Sequence, residues 1–220
     1  MGTFAEVKIR AGLFRFYVAR MFYQDGVAGA LLFGGAFAAG MFDWSITEIG
    51  IFGILLNIIA VPSCIIAGSI DARIGSKRVV LISILCLTFA IIGIVSTAPG
   101  STLFGLIDLG SEDSGGLFGT TAEKVYILFG AFVGLAFGPV QASSRSYLAQ
   151  SVDQREAGRF FGLYALIGRA TSFLAPVMVA VVTDATNNQA LGIATLPILF
   201  VLGFFIMLTV PQPHKNRSQT

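Results

Sequence analysis

Long apolar runs, interrupted by short clusters of charged and glycine-rich residues, extend through most of the chain. A helix needs about 20 mostly apolar residues to cross a hydrocarbon core of roughly 30 Å. Six segments meet that length, at about 16–41, 46–70, 79–98, 124–147, 158–183 and 190–210. None alternates with the period of two that a membrane-barrel strand needs, and lipid offers a bare backbone no hydrogen-bond partner. The pattern therefore predicts an all-α integral membrane protein. A six-helix transmembrane domain covers 16–210, with a short segment at 1–15 before it and a tail at 211–220 after it.

The basic residues set an expected orientation. Lys8, Arg10 and Arg15 precede the first span; Arg73, Lys77 and Arg78 lie between the second and third. Arg155 and Arg159 separate the fourth from the fifth, and Lys215 and Arg217 follow the sixth. Six alternating helices place all of these on one side, which the positive-inside rule makes cytoplasmic. The opposite connections hold Asp43, Glu48, Asp108, Glu112, Asp113, Glu123 and Asp184 against the single Lys124. Both termini are thus expected in the cytoplasm.

Composition agrees. The chain is 55% hydrophobic and 12% charged, against about 25% charged in ordinary soluble domains. A net charge of +2 without a long basic run excludes nucleic acid as a partner. Arg15 and Arg20 interrupt the region where a signal peptide would carry a clean apolar core, so the first span is expected to persist. Cys64 and Cys86 lie in apolar runs and are expected to pack as small hydrophobes. His214 is the sole histidine, which removes His-based triads and multi-His metal sites. With no Walker-type phosphate loop and no catalytic constellation, neither an enzyme nor a nucleotide motor is expected, and no cofactor or metal.

Between the third and fourth spans, residues 99–123 are rich in Gly, Ser and acidic groups around the apolar patch Leu103–Leu109, which predicts a flexible loop or a small interfacial helix. In the fourth span Gly130, Gly134 and Gly138 share one face at a spacing of four, as close helix packing requires. Gly138-Pro139 is in addition a candidate hinge.

Ionisable groups deep in a bilayer cost at least about 2.5–3.5 kcal/mol, so they mark a watery path, a partner, or both. Counted from the start of the first span, Asp25 lies about 15 Å deep, and Arg169 in the fifth span about as deep. The two are expected to meet as an ion pair or to contact a charged or zwitterionic solute. Arg20 is expected to snorkel to the interface, with Gln24 one turn above it. Gln141 and Arg145 are likewise one turn apart. Asn57 is a midplane polar group, and for Asn57 and Gln141 an interhelical hydrogen bond is the expected role. Arg20, Gln24, Asp25, Asn57, Gln141, Arg145 and Arg169 are the candidate path residues.

The connection from Gly68 to Arg78 resembles the short charged loop of the major facilitator superfamily. Gly68, Asp71, Arg73, Gly75, Lys77 and Arg78 carry the likeness, although the family's Asp position holds Ala72, with Asp71 just before it. Gly75 permits a tight turn, and the basic residues can cap helix ends. The run Ala19 to Gly26, the stretch Gln141 to Arg145 and the run Gly158 to Leu166 extend the likeness over nearly the whole chain. Together they resemble the carboxy-terminal half of the autophagy-type vacuolar amino-acid effluxers and their bacterial relatives. The resemblance implies a six-helix half of a major facilitator fold, moving small organic solutes by gradient-driven alternating access, with amino-acid efflux as a pointer to substrate. It also implies a second six-helix half, either another copy of this chain or a separate amino-terminal half, and a lipid bilayer around both. A bacterial inner membrane is the expected location. The alternatives are a non-transporting scaffold or regulatory subunit, and a remnant of a truncated transporter gene.

Overall fold

A computed structural model describes residues 2–110, 112–170 and 172–213, the side chains of 2–10 and 170 excepted. His214, Lys215 and Arg217 lie outside the described residues, as do the side chains of Lys8 and Arg10. The elements run α1 (Gly2–Phe42), α2 (Ile46–Ile74), α3 (Ser76–Ser96), the strands β1 (Ser101–Thr102) and β2 (Ile107–Asp108), then α4 (Thr121–Ser151). They continue with α5 (Ala157–Ala170), α6 (Leu174–Thr186), α7 (Gln189–Ile193) and α8 (Leu196–Thr209). Among the described residues, six stretches are long and apolar enough to cross a membrane: Ala11–Phe42, α2, α3, α4, Ala157–Thr186 and Gln189–Thr209.

The fourth span is the hub. It packs most extensively against α2 and α3, while α1 packs chiefly against α8. The three glycines of α4 explain how closely α2 approaches. A Cβ on Gly134 would sit 2.7 Å from the Leu56 carbonyl oxygen, and one on Gly138 2.7 Å from that of Ala60. At Gly130 the obstacle is the Phe52 ring. One glycine face thus receives one helix, and α4 continues unbroken through Pro139. Gly203 plays the same part on α8, where a Cβ would meet the Ala19 carbonyl oxygen at 3.1 Å.

Both long helices facing the acidic connections start with a capping box. Ser45 accepts from the Glu48 amide while Glu48 accepts from the Ser45 amide, and Thr120 and Glu123 repeat the arrangement. Each box satisfies two of the donors that a helix start leaves open. Glu123 is also buried and accepts a 2.7 Å hydrogen bond from Trp44 Nε1. Trp44 stands among Phe42, Phe52, Phe118 and Tyr126, so the α1–α2 connection is fastened to the start of α4 by an aromatic cluster.

Two sequence expectations change. The connection after α3 holds an antiparallel hairpin, Ser101 opposite Asp108 and Thr102 opposite Ile107, in place of a loop or interfacial helix. Its tip turns through left-handed backbone at Leu103, Phe104 and Gly105, with Phe104 and Leu106 exposed. The fifth span, expected as one helix over 158–183, is divided between α5 and α6. Pro176 explains where a break is tolerated: it lies in the first turn of α6, where its missing N–H costs no helical hydrogen bond.

At the α2–α3 turn, Gly75 takes φ 90° and its N–H returns to the Asp71 carbonyl oxygen at 2.9 Å. Asp71 is buried and accepts from Ser76 Oγ at 2.6 Å. Ser76 Oγ in turn meets Ser146 Oγ at 3.1 Å and accepts from Gln150 Nε2 at 3.0 Å, tying the turn to α4. Lys77 donates to the carbonyl oxygens of Leu208 and Val210 at the end of α8, where a helix terminus favours a cation. Gly68, Arg73 and Arg78 are exposed.

Candidate functional site

A cleft of about 660 Å³ opens between α1, α4 and α5, with Cys64 of α2 at its wall. Of the candidate path residues, Arg20, Gln24, Gln141, Arg145 and Arg169 line it. Helical spacing accounts for the grouping. Arg20 and Gln24 are one turn apart on α1, Gln141 and Arg145 one turn apart on α4, and Tyr164 and Gly168 one turn apart on α5.

Arg20 is buried, 5% exposed, so it does not snorkel to an interface. Its guanidinium carbon lies 3.4 Å from the centroid of the Tyr164 ring, and Nη1 donates to the Tyr164 carbonyl oxygen at 3.0 Å. Gly168 supplies the room: a Cβ there would come within 3.0 Å of Nη2 and closer to Nη1. A desolvated cation over a ring face gains up to about 2 kcal/mol, which makes this packed position preferable to a stretched-out one.

Gln141 Nε2 donates to Gln24 Oε1 at 2.8 Å, the expected interhelical bond between α4 and α1. One turn away, the Tyr23 and Ser144 hydroxyls meet at 2.7 Å. Arg145 and Arg169 differ from Arg20. Both are exposed to the cleft, and among the described residues neither side chain has an ion-pair or hydrogen-bond partner.

Asp25 is absent from the cleft wall. It is 2% exposed, and its Oδ2 accepts a 2.6 Å hydrogen bond from the Ala175 amide in the first turn of α6. Oδ1 has no partner among the described residues, so the expected ion pair with Arg169 is not formed. The break between α5 and α6 is the reason. It brings open backbone donors to the level of Asp25, and they attract a carboxylate. Asn57 is also elsewhere: it is exposed on α2 and donates to the Gly53 carbonyl oxygen of its own helix at 2.8 Å, and among the described residues its expected interhelical bond is not formed.

Sequence reasoning missed Tyr164 and Gly168 as partners of Arg20. A ring and a glycine one turn apart, in a helix expected near a buried arginine, are the signal that points to them. Spacing cannot identify the arginine itself, which is 144 residues away.

The model of the family described as vacuole effluxer Atg22 like matches residues 2–220. The chain belongs to that family. The Atg22-like relatives include autophagy-related protein 22 of Cryptococcus neoformans, 30% identical over 210 residues, covering 93% of this chain and 33% of that protein. Autophagy-related protein 22 of Yarrowia lipolytica is 23% identical over 221 residues, covering 97% of this chain and 34% of that protein. An uncharacterized MFS-type transporter, YxiO of Bacillus subtilis, is 26% identical over 210 residues, 96% of this chain and 44% of that protein. The chain therefore spans about a third of the autophagy-related relatives' length and less than half of YxiO's. The family is described as one of effluxers and YxiO is named a transporter, and the six-helix bundle is a multi-pass membrane unit of the major facilitator kind.

Proposed function

We propose that the chain forms one half of a gradient-driven secondary transporter, with the cleft between α1, α4 and α5 as its half of the solute path. The observation that carries this reading is the wall itself: Arg20, Gln24, Gln141, Arg145 and Arg169 converge from three helices on one opening inside otherwise apolar spans. Groups so costly to place in a membrane are retained where water or solute meets them. A scaffold has no use for such a wall.

A second six-helix unit completes the path, supplied by another copy of this chain or by a separate polypeptide. The partial coverage of the relatives supports this, as do α2 and the α5–α6 span, whose cores are the least buried of the six. Rocking of one unit against the other gives alternating access. Amino acids are the first solute class to assay, in the direction of efflux from the cytoplasm, with the basic connections on the cytoplasmic face of a bacterial inner membrane.

The test begins with native mass spectrometry of the full chain from nanodiscs, followed by flux in proteoliposomes under imposed proton and sodium gradients. A dimer with gradient-dependent flux supports the reading. Gradient-independent leakage alone, or none in the dimer and in the chain co-expressed with a neighbouring six-helix frame, overturns it.

A further inference from the structure

We propose that the cleft selects small organic anions over zwitterions, taking a carboxylate on Arg145 and Arg169. This rests on the cleft being a solute site, and it departs from the amino-acid pointer by naming a net negative charge as the class selected. Three guanidinium groups, from three different helices, face one opening, and no carboxylate lines it among the described residues. Their roles divide. Arg20 is spent on the protein itself, held by the Tyr164 ring and carbonyl oxygen. Arg145 and Arg169 are exposed there and, among the described residues, unpartnered.

A guanidinium offers paired donors in the geometry of a carboxylate or phosphate, and such charge-assisted bonds are about twice as strong as neutral ones. Two free forks at one opening, with a third fixed positive charge behind them, create a field that draws anions. The same field opposes an ammonium group. Asp25, the acid within the α1 span, is buried, accepts from the Ala175 amide and is not among the cleft's lining residues. Gln141 Oε1 is a neutral acceptor and cannot offset an added positive charge. Phe137 and Phe161 supply apolar wall for a short hydrocarbon tail.

A phospholipid headgroup presents the same anionic oxygens, so the experiment separates the two sources. The full chain, in nanodiscs of phosphatidylcholine, is titrated calorimetrically with pentanoate, norvaline and pentanamide, which share a carbon skeleton and differ in charge. Pentanoate is expected to bind at least about tenfold more tightly than either of the others, the factor that about 1.4 kcal/mol of selective attraction gives. Arg145→Gln and Arg169→Gln are each expected to weaken it by a similar factor, whereas Arg155→Gln, which removes an equal charge outside the cleft, leaves it unchanged. Adding phosphatidylglycerol is expected to leave pentanoate affinity nearly as it was.

Equal binding of the three compounds overturns the inference, as does no binding of pentanoate, or equal weakening by Arg155→Gln. So does displacement of pentanoate by phosphatidylglycerol combined with loss of retained phosphatidylglycerol in Arg145→Gln by native mass spectrometry, which assigns the site to lipid. Binding needs neither gradient nor flux. Selective binding without transport would therefore sink the transporter reading alone, and flux without charge selectivity the anion inference alone.

Discussion

Asp25 on α1 holds the Ala175 amide of α6 at 2.6 Å, across 150 residues of sequence. The bond ties the first helix to the second part of the divided fifth span, and it does so with a buried carboxylate whose other oxygen has no partner among the described residues. Leaving a buried donor open costs about 1–3 kcal/mol. Asp25→Ala is therefore expected to lower the thermal unfolding midpoint in detergent by that order of free energy, and Asp25→Asn, which keeps an acceptor oxygen, by less. Equal midpoints for wild type and Asp25→Ala would remove the capping role.

Since Asp25 and Arg169 do not touch, their mutations are expected to be independent. A double-mutant cycle with Asp25→Asn and Arg169→Gln should give a coupling within about 0.5 kcal/mol, as for separated sites. Exchanging the two residues should likewise fail to restore the wild-type midpoint. Recovery in the exchanged protein would establish the ion pair that the structure lacks.

The six spans were legible because apolar length is a property of consecutive residues, and so were most of the polar groups in the cleft, since any polar group in an apolar run stands out. Partners were harder. Asp25 and Arg169 are matched by depth along their helices, yet depth ignores azimuth and assumes an unbroken fifth span. In that span α5 ends at Ala170 and α6 begins at Leu174, inside a stretch that by length and mean hydropathy is a single membrane span. Two prolines sharpen the point: Pro139 sits inside a continuous α4, while Pro176 marks the first turn of α6. Proline alone does not tell a break from a tolerated kink. Asn57 was misjudged for a related reason, because a polar residue at midplane can satisfy its amide on its own helix.

The Arg20–Tyr164 contact separates ring from hydroxyl. Tyr164 Oη is buried without a partner among the described residues, so Tyr164→Phe keeps the ring under the guanidinium and removes an unsatisfied group. It should be neutral or slightly stabilising. Tyr164→Leu forfeits the cation–π contribution, about 0.5–2 kcal/mol, while the backbone acceptor for Nη1 remains. Unfolding midpoints of the two variants check this, and a larger loss for Phe than for Leu would refute it.

Glycines on two helices should respond in opposite directions to the same substitution. Gly134→Ala places a methyl group 2.7 Å from the Leu56 carbonyl oxygen, an obstacle of rigid backbone that forces α2 and α4 apart. Overpacking of this kind costs about 1–3 kcal/mol. On α5, Gly162 has nothing within 4 Å of a built Cβ, and alanine in an exposed helix interior gains about 0.8–1.0 kcal/mol over glycine.

Trp44 gives an optical view of the opposite end of the bundle, because it is the chain's single tryptophan. Its indole N–H is held by buried Glu123 at 2.7 Å, and the same carboxylate closes the capping box of α4. Glu123→Gln keeps one acceptor oxygen, enough for the indole N–H or the Thr120 N–H but not for both, whereas Glu123→Ala removes both acceptors. Loss of the box and of the indole partner together is expected to cost about 1–3 kcal/mol. It should also shift Trp44 emission to longer wavelength and raise its quenching by iodide, as water reaches the ring. If Glu123→Ala leaves emission and quenching unchanged, the α1–α2 connection is held by the aromatic cluster alone, and the hydrogen bond contributes nothing to its position.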